Sequence, residues 1–469
     1  ARMTACATNG THSLTGRGSL AADRSLTVGS VRRIRRRARR SAESQRGALL
    51  SSPSMETSRH STRRSLFLIL TIALLFSLAP FSRGQASEKP YVVLVSIDGF
   101  RFDYAERFKT KNILAVRDNG AAAASMIPSF PSVTFPNHIS IVTGLYPEHH
   151  GIVGNSFFDP TRKAAYSIKN TATDGSWYQR GTPLWVLAEQ QHVIAGCMFW
   201  PTCDGEIQGS RPTYFKKYDG TFPDEKRVSQ VIDWLKLPAD QRPHFITLYF
   251  SDVDTAGHKF GPESLETVEA ALQVDRMIGK LREGLDALKL PVNLILVSDH
   301  GMQDVKDGEV SLTGDIDGPN VRAELDGPVA LIYCKDAETV EKTYLKLKKN
   351  SKLDVYKRED APASWHFNEN PRSGDLVAIV KGAAVFTLTD PGVKRVQRSP
   401  PRGEHGYDPR KFSTMHAIFY AIGPNVRPET KFASFENVNV YPFIVKILGL
   451  KPPEQLDGSA AVLDPIYRP

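Results

Sequence analysis

Runs of Val, Ile and Leu recur at 91–97, 245–250, 292–297, 329–333, 376–380 and 417–422, with polar stretches between several of them. These runs are continuously apolar rather than alternating. That pattern predicts strands buried on both faces, and hence an α/β fold with a mostly parallel central sheet and helices on both faces. Between the second and third runs, ESLETVEAALQVDRMIGKLREGLDAL (263–288) places apolar residues at helical spacing and reads as a crossover helix. There is no internal repeat. The loop-like insertions of note are 157–183 and 381–404.

The first part of the chain does not share this pattern. Residues 1–54 carry VRRIRRRARR and many Ser and Thr without apolar periodicity, and are expected to be disordered or not native to the folded product. From Met55, a basic METSRHSTRR leads into the apolar SLFLILTIALLFSLAPF and the small-residue Gly84-Gln85-Ala86, the order of a secretory signal peptide over 55–86. The competing reading is an uncleaved membrane anchor, since the apolar run reaches the lower edge of spanning length. Cleavage would leave 87–469, about 380 residues, as one folded domain with no membrane span, periplasmic or secreted.

Removing that segment reverses the charge. Residues 1–87 hold fifteen Arg, no Lys and three acids, or +12, so the +9 of the whole chain leaves −3 for the remainder. The basic excess therefore gives no reason to expect a stable nucleic-acid partner. Cysteine is sparse. Cys197 and Cys203 flank MFWPT and an exported chain permits them to pair, but sequence leaves the pairing open because it cannot give their Cα separation. Cys334, after VALIY, reads as a buried thiol.

Candidate chemistry gathers where the apolar runs end. Asp98 closes YVVLVSID, Asp254 closes FITLYFSDVD, and Asp299 with His300 closes VNLILVSDH, and in open parallel sheets ligands collect beyond the carboxyl ends of the strands. Each has an ordinary alternative as a helix cap or turn residue. Asp252 competes with Asp254. His258 follows in a DxxxH spacing, and His405 sits in GEHGYD, where glycines allow close backbone approach. Mixed carboxylate and imidazole ligands suit two zinc ions better than calcium or magnesium, which prefer oxygen. Thr134 in TFPNH and the nearby Ser132 compete as a nucleophilic hydroxyl, and Asn137 offers an amide. His138, His149, His150 and His416 are expected to pack or to support other groups. The combined expectation is a two-metal hydrolase of phosphate esters.

Taken together, IDGFRFDY, TFPNH, TGLYPEHHGIVGN, FWP, DVDTAGHKFGP, SDHGM and HGYD closely resemble the nucleotide pyrophosphatase/phosphodiesterase family of the alkaline phosphatase superfamily, in the same order across most of 90–450. The resemblance implies an alkaline phosphatase-like fold in a compact, catalytic-domain-only form like the bacterial members. It implies one zinc on Asp254, His258 and His405, and a second on Asp98, Asp299, His300 and the Thr134 oxygen. Asn137 would hydrogen-bond a phosphate oxygen. Phe135 and Tyr249, with Trp200, would line the pocket for a nucleobase or other leaving group. The implied reaction is hydrolysis of small nucleotide diesters or pyrophosphates through a covalent threonine intermediate, releasing nucleoside 5'-monophosphates. The competing activities on the same scaffold are cleavage of choline phospholipids and hydrolysis of a phosphonate. Departures are few, Cys203 after FWP being one.

Overall fold

The computed structural model describes residues 89–316, 319–388 and 401–469, so both N-terminal expectations, over 1–54 and 55–86, lie outside the described residues. All six apolar runs contain strands. Three of them carry the site: β1 (Tyr91–Ile97), β2 (Phe245–Phe250) and β3 (Val292–Val297). Three helices matter with them: α1 (Thr134–Thr143), α2 (Asp252–Phe260) and α3 (Leu265–Leu288), the last filling the predicted crossover between β2 and β3.

The larger sheet has eight strands in the order Thr430–Phe432, Ala121–Ala123, Phe419–Ile422, β3, β1, β2, Ala195–Met198, Tyr214–Lys216. Only Phe419–Ile422 runs against the rest. Alternation along β1 explains why its sequence is apolar throughout. Val92 and Leu94 enter a core shared with the Leu184–Gln190 and Val440–Ile447 helices, while Val93, Val95 and Ile97 enter a second core with Val274, Ile278 and Leu281 of α3. Burying each such side chain contributes roughly 1.5–3 kcal/mol, and a polar residue is accepted only where it is hydrogen-bonded, as buried Ser96 is to His138 Nε2 at 2.9 Å.

The runs at 329–333 and 376–380 do not join this sheet. They form a separate antiparallel sheet, ordered Val321–Asp326, Val329–Cys334, Leu376–Val380, Leu353–Lys357. This sheet also has a core on each face, so continuous apolarity could not reveal strand direction. The tight Asp326-Gly327-Pro328-Val329 turn, with Gly327 at φ 58°, reverses the chain at once and makes the first pair a hairpin. Within the two insertions, Ser156–Asp159 pairs with Ala164–Ser167 and Ala384–Thr387 pairs with Gly308–Ser311. No helix among the described residues is long and apolar enough to cross a membrane.

Register brings the functional strand ends to one level. Ile97 pairs with Phe250 and Ser96 with Val297, and the Asp98 N–H donates to Phe250 O at 2.9 Å.

Candidate metal centre

Asp98 lies one residue beyond β1, Asp299 and His300 two and three beyond β3, and Asp254 on the first turn of α2 just past β2. Asp254 and His258 stand four apart on α2 and so share a helix face, with Ser251 rather than Asp254 at the cap position. His405 arrives from a distant loop. Gly403 makes that possible, because a Cβ there would lie 2.5 Å from Gly257 O on α2. Gly99, at φ 67°, likewise lets the loop after β1 press onto Asp254, whose Cα would be 2.9 Å from an added Cβ.

Two adjoining clusters result. In the first, Asp254 Oδ1 is 3.4 Å from His258 Nε2 and 3.7 Å from His405 Nε2, and the two Nε2 atoms are 3.1 Å apart. In the second, His300 Nε2 is 2.9 Å from Asp299 Oδ2, 3.6 Å from Asp98 Oδ1 and 3.2 Å from Thr134 Oγ1. Ligands held tetrahedrally at zinc-type bond lengths stand roughly 3.3–3.6 Å from one another, and these separations fall around that figure. The remaining atoms agree. Asp98 Oδ1, Asp254 Oδ1 and Asp299 Oδ2 are buried without a hydrogen bond. Each imidazole turns its Nδ1 to a backbone carbonyl, His258 to Gly403, His300 to Gly301 and His405 to Ser132, leaving Nε2 for the centre. That is the supporting arrangement of metal-binding histidines, and it fits a divalent cation in each cluster.

The electrostatics point the same way. Burial, reinforced by Asp299 and Asp254, pushes the Asp98 carboxyl well above the usual carboxylate range. Burial would raise Asp299 too, but His300 and His138 outweigh it and hold that carboxyl well below. His300, despite burial, is raised to about 9 by Asp299. Burial and repulsion from His300 and His258 depress His405. Such opposed shifts come from burying acids and imidazoles against one another, as functional sites often do.

Thr134 is the first residue of α1, half-buried, with its hydroxyl on this centre. Ser132 is fully buried and donates its hydroxyl to Tyr407 O at 2.6 Å, so it does not compete. Asn137 requires a correction. It is fully buried, its Nδ2 donates to Pro131 O and Val133 O, and its Oδ1 accepts from Ser129 N and Asn437 Nδ2. One turn into α1, it faces the core and ties down the loop before the helix; no donor is left for a phosphate. Asn155 stands instead beside Thr134, its Oδ1 accepting the Phe135 N–H at 3.0 Å and its backbone N–H fixed by Asp326. It ends the GIVGN run, the one signal that could have marked it.

A cavity of about 590 Å³ opens from Asp98, Thr134 and Asp254 and is walled by Phe135, Trp200, Tyr218 and Tyr249. Tyr249 lines it as expected, but its hydroxyl is committed to Asp98 Oδ2 at 2.5 Å. Trp200 lines it while almost fully buried, its indole N–H donating to His138 O at 3.2 Å. Tyr218, half exposed in the polar loop KKYDG, carries no motif and is identified only by its place on the wall. Two further groups support the centre. His138 Nδ1 lies 3.3 Å from Asp299 Oδ2, and Glu404 Oε1 lies 3.7 Å from His258 Nδ1 while accepting the His405 N–H. His150 and His416 are tied to Ser140 and Ser125, away from the centre, and His149 pairs with Asp457.

Residues 92–408 match the family model described as Type I phosphodiesterase / nucleotide pyrophosphatase. The chain is 36% identical over 401 residues to ectonucleotide pyrophosphatase/phosphodiesterase family member 1 of Mus musculus, covering 81% of this chain and 44% of that protein, and so spans about half the length of the curated relatives it first matches. An uncharacterised pyrophosphatase/phosphodiesterase of Schizosaccharomyces pombe is 34% identical over 433 residues, covering 86% of this chain and 87% of the relative. Among solved structures, an inactive Thr-to-Ala variant of murine ectonucleotide pyrophosphatase / phosphodiesterase 5, in complex with AMP, superposes with a TM-score of 0.75 at 30% identity, covering 81% of this chain and 100% of that one. The fold is alkaline phosphatase-like. On the family match and these likenesses, the chain belongs to the type I phosphodiesterase / nucleotide pyrophosphatase family.

Proposed function

We propose that this chain is an exported, two-zinc hydrolase of small nucleotide phosphodiesters and pyrophosphates that works through a covalent threonine intermediate and releases nucleoside 5'-monophosphates. The observation that carries the reading is the convergence of Asp98, Asp254, His258, Asp299, His300 and His405 on the Thr134 hydroxyl, with three buried carboxylate oxygens left unbonded. Asp254, His258 and His405 would hold one zinc, and Asp98, Asp299, His300 and Thr134 the other. Bound there, zinc supplies positive charge to lower the pKa of a hydroxyl or water and to neutralise a leaving oxygen.

Thr134 Oγ1 forms the bond to phosphorus as the bond to the leaving oxygen breaks, and water then displaces the threonine in a second in-line step. Thr134 also starts α1, so the positive end of that helix dipole lies beside the phosphoryl group. Asn155, held by Phe135 N–H and Asp326, takes over the role expected of Asn137 and donates Nδ2 to a phosphate oxygen. Phe135 and Tyr218, with Trp200 and Tyr249, offer aromatic surface to the nucleobase of the nucleotidyl group that Thr134 accepts.

A diester is favoured over a monoester because no arginine among the described residues lines the cavity. Arg101, the one arginine of the first motif, is bound to Asp103, Glu263 and Met302 O. The cavity's cations, Lys169 and Lys217, lie on exposed stretches, so a monoester's extra charge would find no buried cation there. The "ecto" in the relatives' names supports the exported reading.

The test is turnover of the 4-nitrophenyl ester of thymidine 5'-monophosphate, 4-nitrophenyl phosphate, a choline phospholipid and a phosphonate ester, each with and without chelator. The reading expects chelator-sensitive turnover of the nucleotide diester well above the others. Equal or greater monoester turnover, or activity that survives complete loss of zinc, would overturn it.

A further inference from the structure

One wall of the cavity is built in a way the proposed chemistry does not require. Phe199, Trp200, Pro201 and Thr202 are consecutive and all four line it. Phe199 and Thr202 have left-handed backbones, φ 68° and 75°, a conformation that disfavours a β-branched or bulky side chain. Such a segment persists only where its surroundings fix it.

Here they do. Cys197, fully buried in the sheet strand Ala195–Met198, is joined by a disulfide to Cys203 immediately after the wall, with Cα atoms 6.4 Å apart. Sequence left this pairing open. Thr202 Oγ1 is within 2.5 Å of the Tyr178 hydroxyl, and Cys203 N–H closes a turn onto Trp200 O at 3.1 Å. The disulfide and Thr202 bond to neither Thr134 nor a metal-binding side chain among the described hydrogen bonds; the nearest link is the Trp200 N–H to His138 O. The crosslink anchors the wall to the sheet rather than to the reacting centre.

We propose that the Cys197–Cys203 disulfide is a specificity-determining clamp: it keeps residues 199–202 preformed as a wall of the cavity, and so sets affinity for the nucleoside of the substrate without entering the chemical step. The inference rests on the hydrolase reading above. A preformed wall removes the ordering cost of binding, and that saving applies equally to bound substrate and transition state. Losing the clamp therefore raises KM and leaves kcat alone.

The experiment compares wild-type protein with Cys203→Ser and with the double variant Cys197→Ala/Cys203→Ala. The substrates are the 4-nitrophenyl ester of thymidine 5'-monophosphate and methyl 4-nitrophenyl phosphate, which keeps the same nitrophenyl leaving group but has no nucleoside to fill the wall. Expected is a rise of about tenfold in KM for the nucleoside ester, with kcat within about twofold and both constants unchanged for the methyl ester. Should both variants fail to accumulate as folded protein, the same comparison is made on wild-type protein before and after phosphine reduction, with thiol titration showing two thiols released. Unchanged KM, an equal loss on both esters, or a fall in kcat alone would overturn the clamp. Wild-type protein inert on both esters would overturn the hydrolase reading itself, an outcome distinct from active wild type with indifferent variants.

Discussion

Thr134 Oγ1 stands 3.2 Å from His300 Nε2, although 166 positions separate the two residues. The contact exists because the start of α1 meets the loop that leaves β3. It fixes which hydroxyl faces the acids and imidazoles, since Ser132, two residues earlier, points the other way into Tyr407 O.

Thr134→Ala should lower kcat on a nucleotide diester by about 10³-fold or more and abolish covalent labelling, with zinc content intact. Ser132→Ala should leave labelling in place. Mass spectrometry of trapped protein and metal analysis check both; labelling lost in the serine variant alone would move the nucleophile.

The two asparagines should separate cleanly. Asn155→Ala removes one donor to the phosphate and should cost about 10²-fold in kcat at near-normal stability. Asn137→Ala strands buried partners at Ser129 and Asn437 and should lower stability by about 2–3 kcal/mol in urea denaturation, with kcat kept by the protein that folds.

Complete chelation should abolish turnover and also lower the thermal midpoint, because the ions bind only the folded cluster. His405→Ala and Asp98→Ala should each reduce zinc from two per chain towards one. Plasma emission analysis of the purified variants gives the count, and unchanged stoichiometry would contradict the ligand sets.

Arg372 holds the second sheet against the 151–177 segment. It is buried, pairs with Asp159 at 2.8 Å and donates to Gly151 O and Trp177 O. Arg372→Met leaves Asp159 without its partner in the interior and should cost about 3–5 kcal/mol, read as a shifted urea midpoint.

His149 supplies a pH dependence away from the metal centre. Its hydrogen bond to Asp457 raises its pKa against partial burial. The pair's contribution is therefore complete below the ordinary histidine value of about 6.5 and is lost as pH rises through the raised one. His149→Gln should be less stable than wild type by up to about 1 kcal/mol at pH 5.5 and equal to it by pH 9. A gap that widened with pH would reverse the assignment.

What was legible in the sequence follows from physical uniformity. A strand buried on both faces must be largely apolar, with hydrogen-bonded exceptions such as Ser96, so all six runs announced themselves, and the 263–288 helix did so by its spacing. Direction and membership did not show. Val329–Cys334 and Leu376–Val380 satisfy the same burial rule in a separate antiparallel sheet, and only hydrogen-bond pairing distinguishes the cases.

At the site, the sequence by residue types left helix-cap and turn alternatives open for Asp98, Asp254, His258, Asp299 and His300, and singled these out together with His405 and Thr134 only through the family resemblance. It could not tell Asn137 from Asn155. Both amides lie near Thr134 along the chain, but helix phase turns one into the core and a long loop returns the other to the nucleophile. Tyr218, Asp326 and Glu404 were likewise assigned by tertiary structure alone. Residue chemistry is local and can be read from the chain, whereas which groups share a cavity depends on how distant loops close over the sheet.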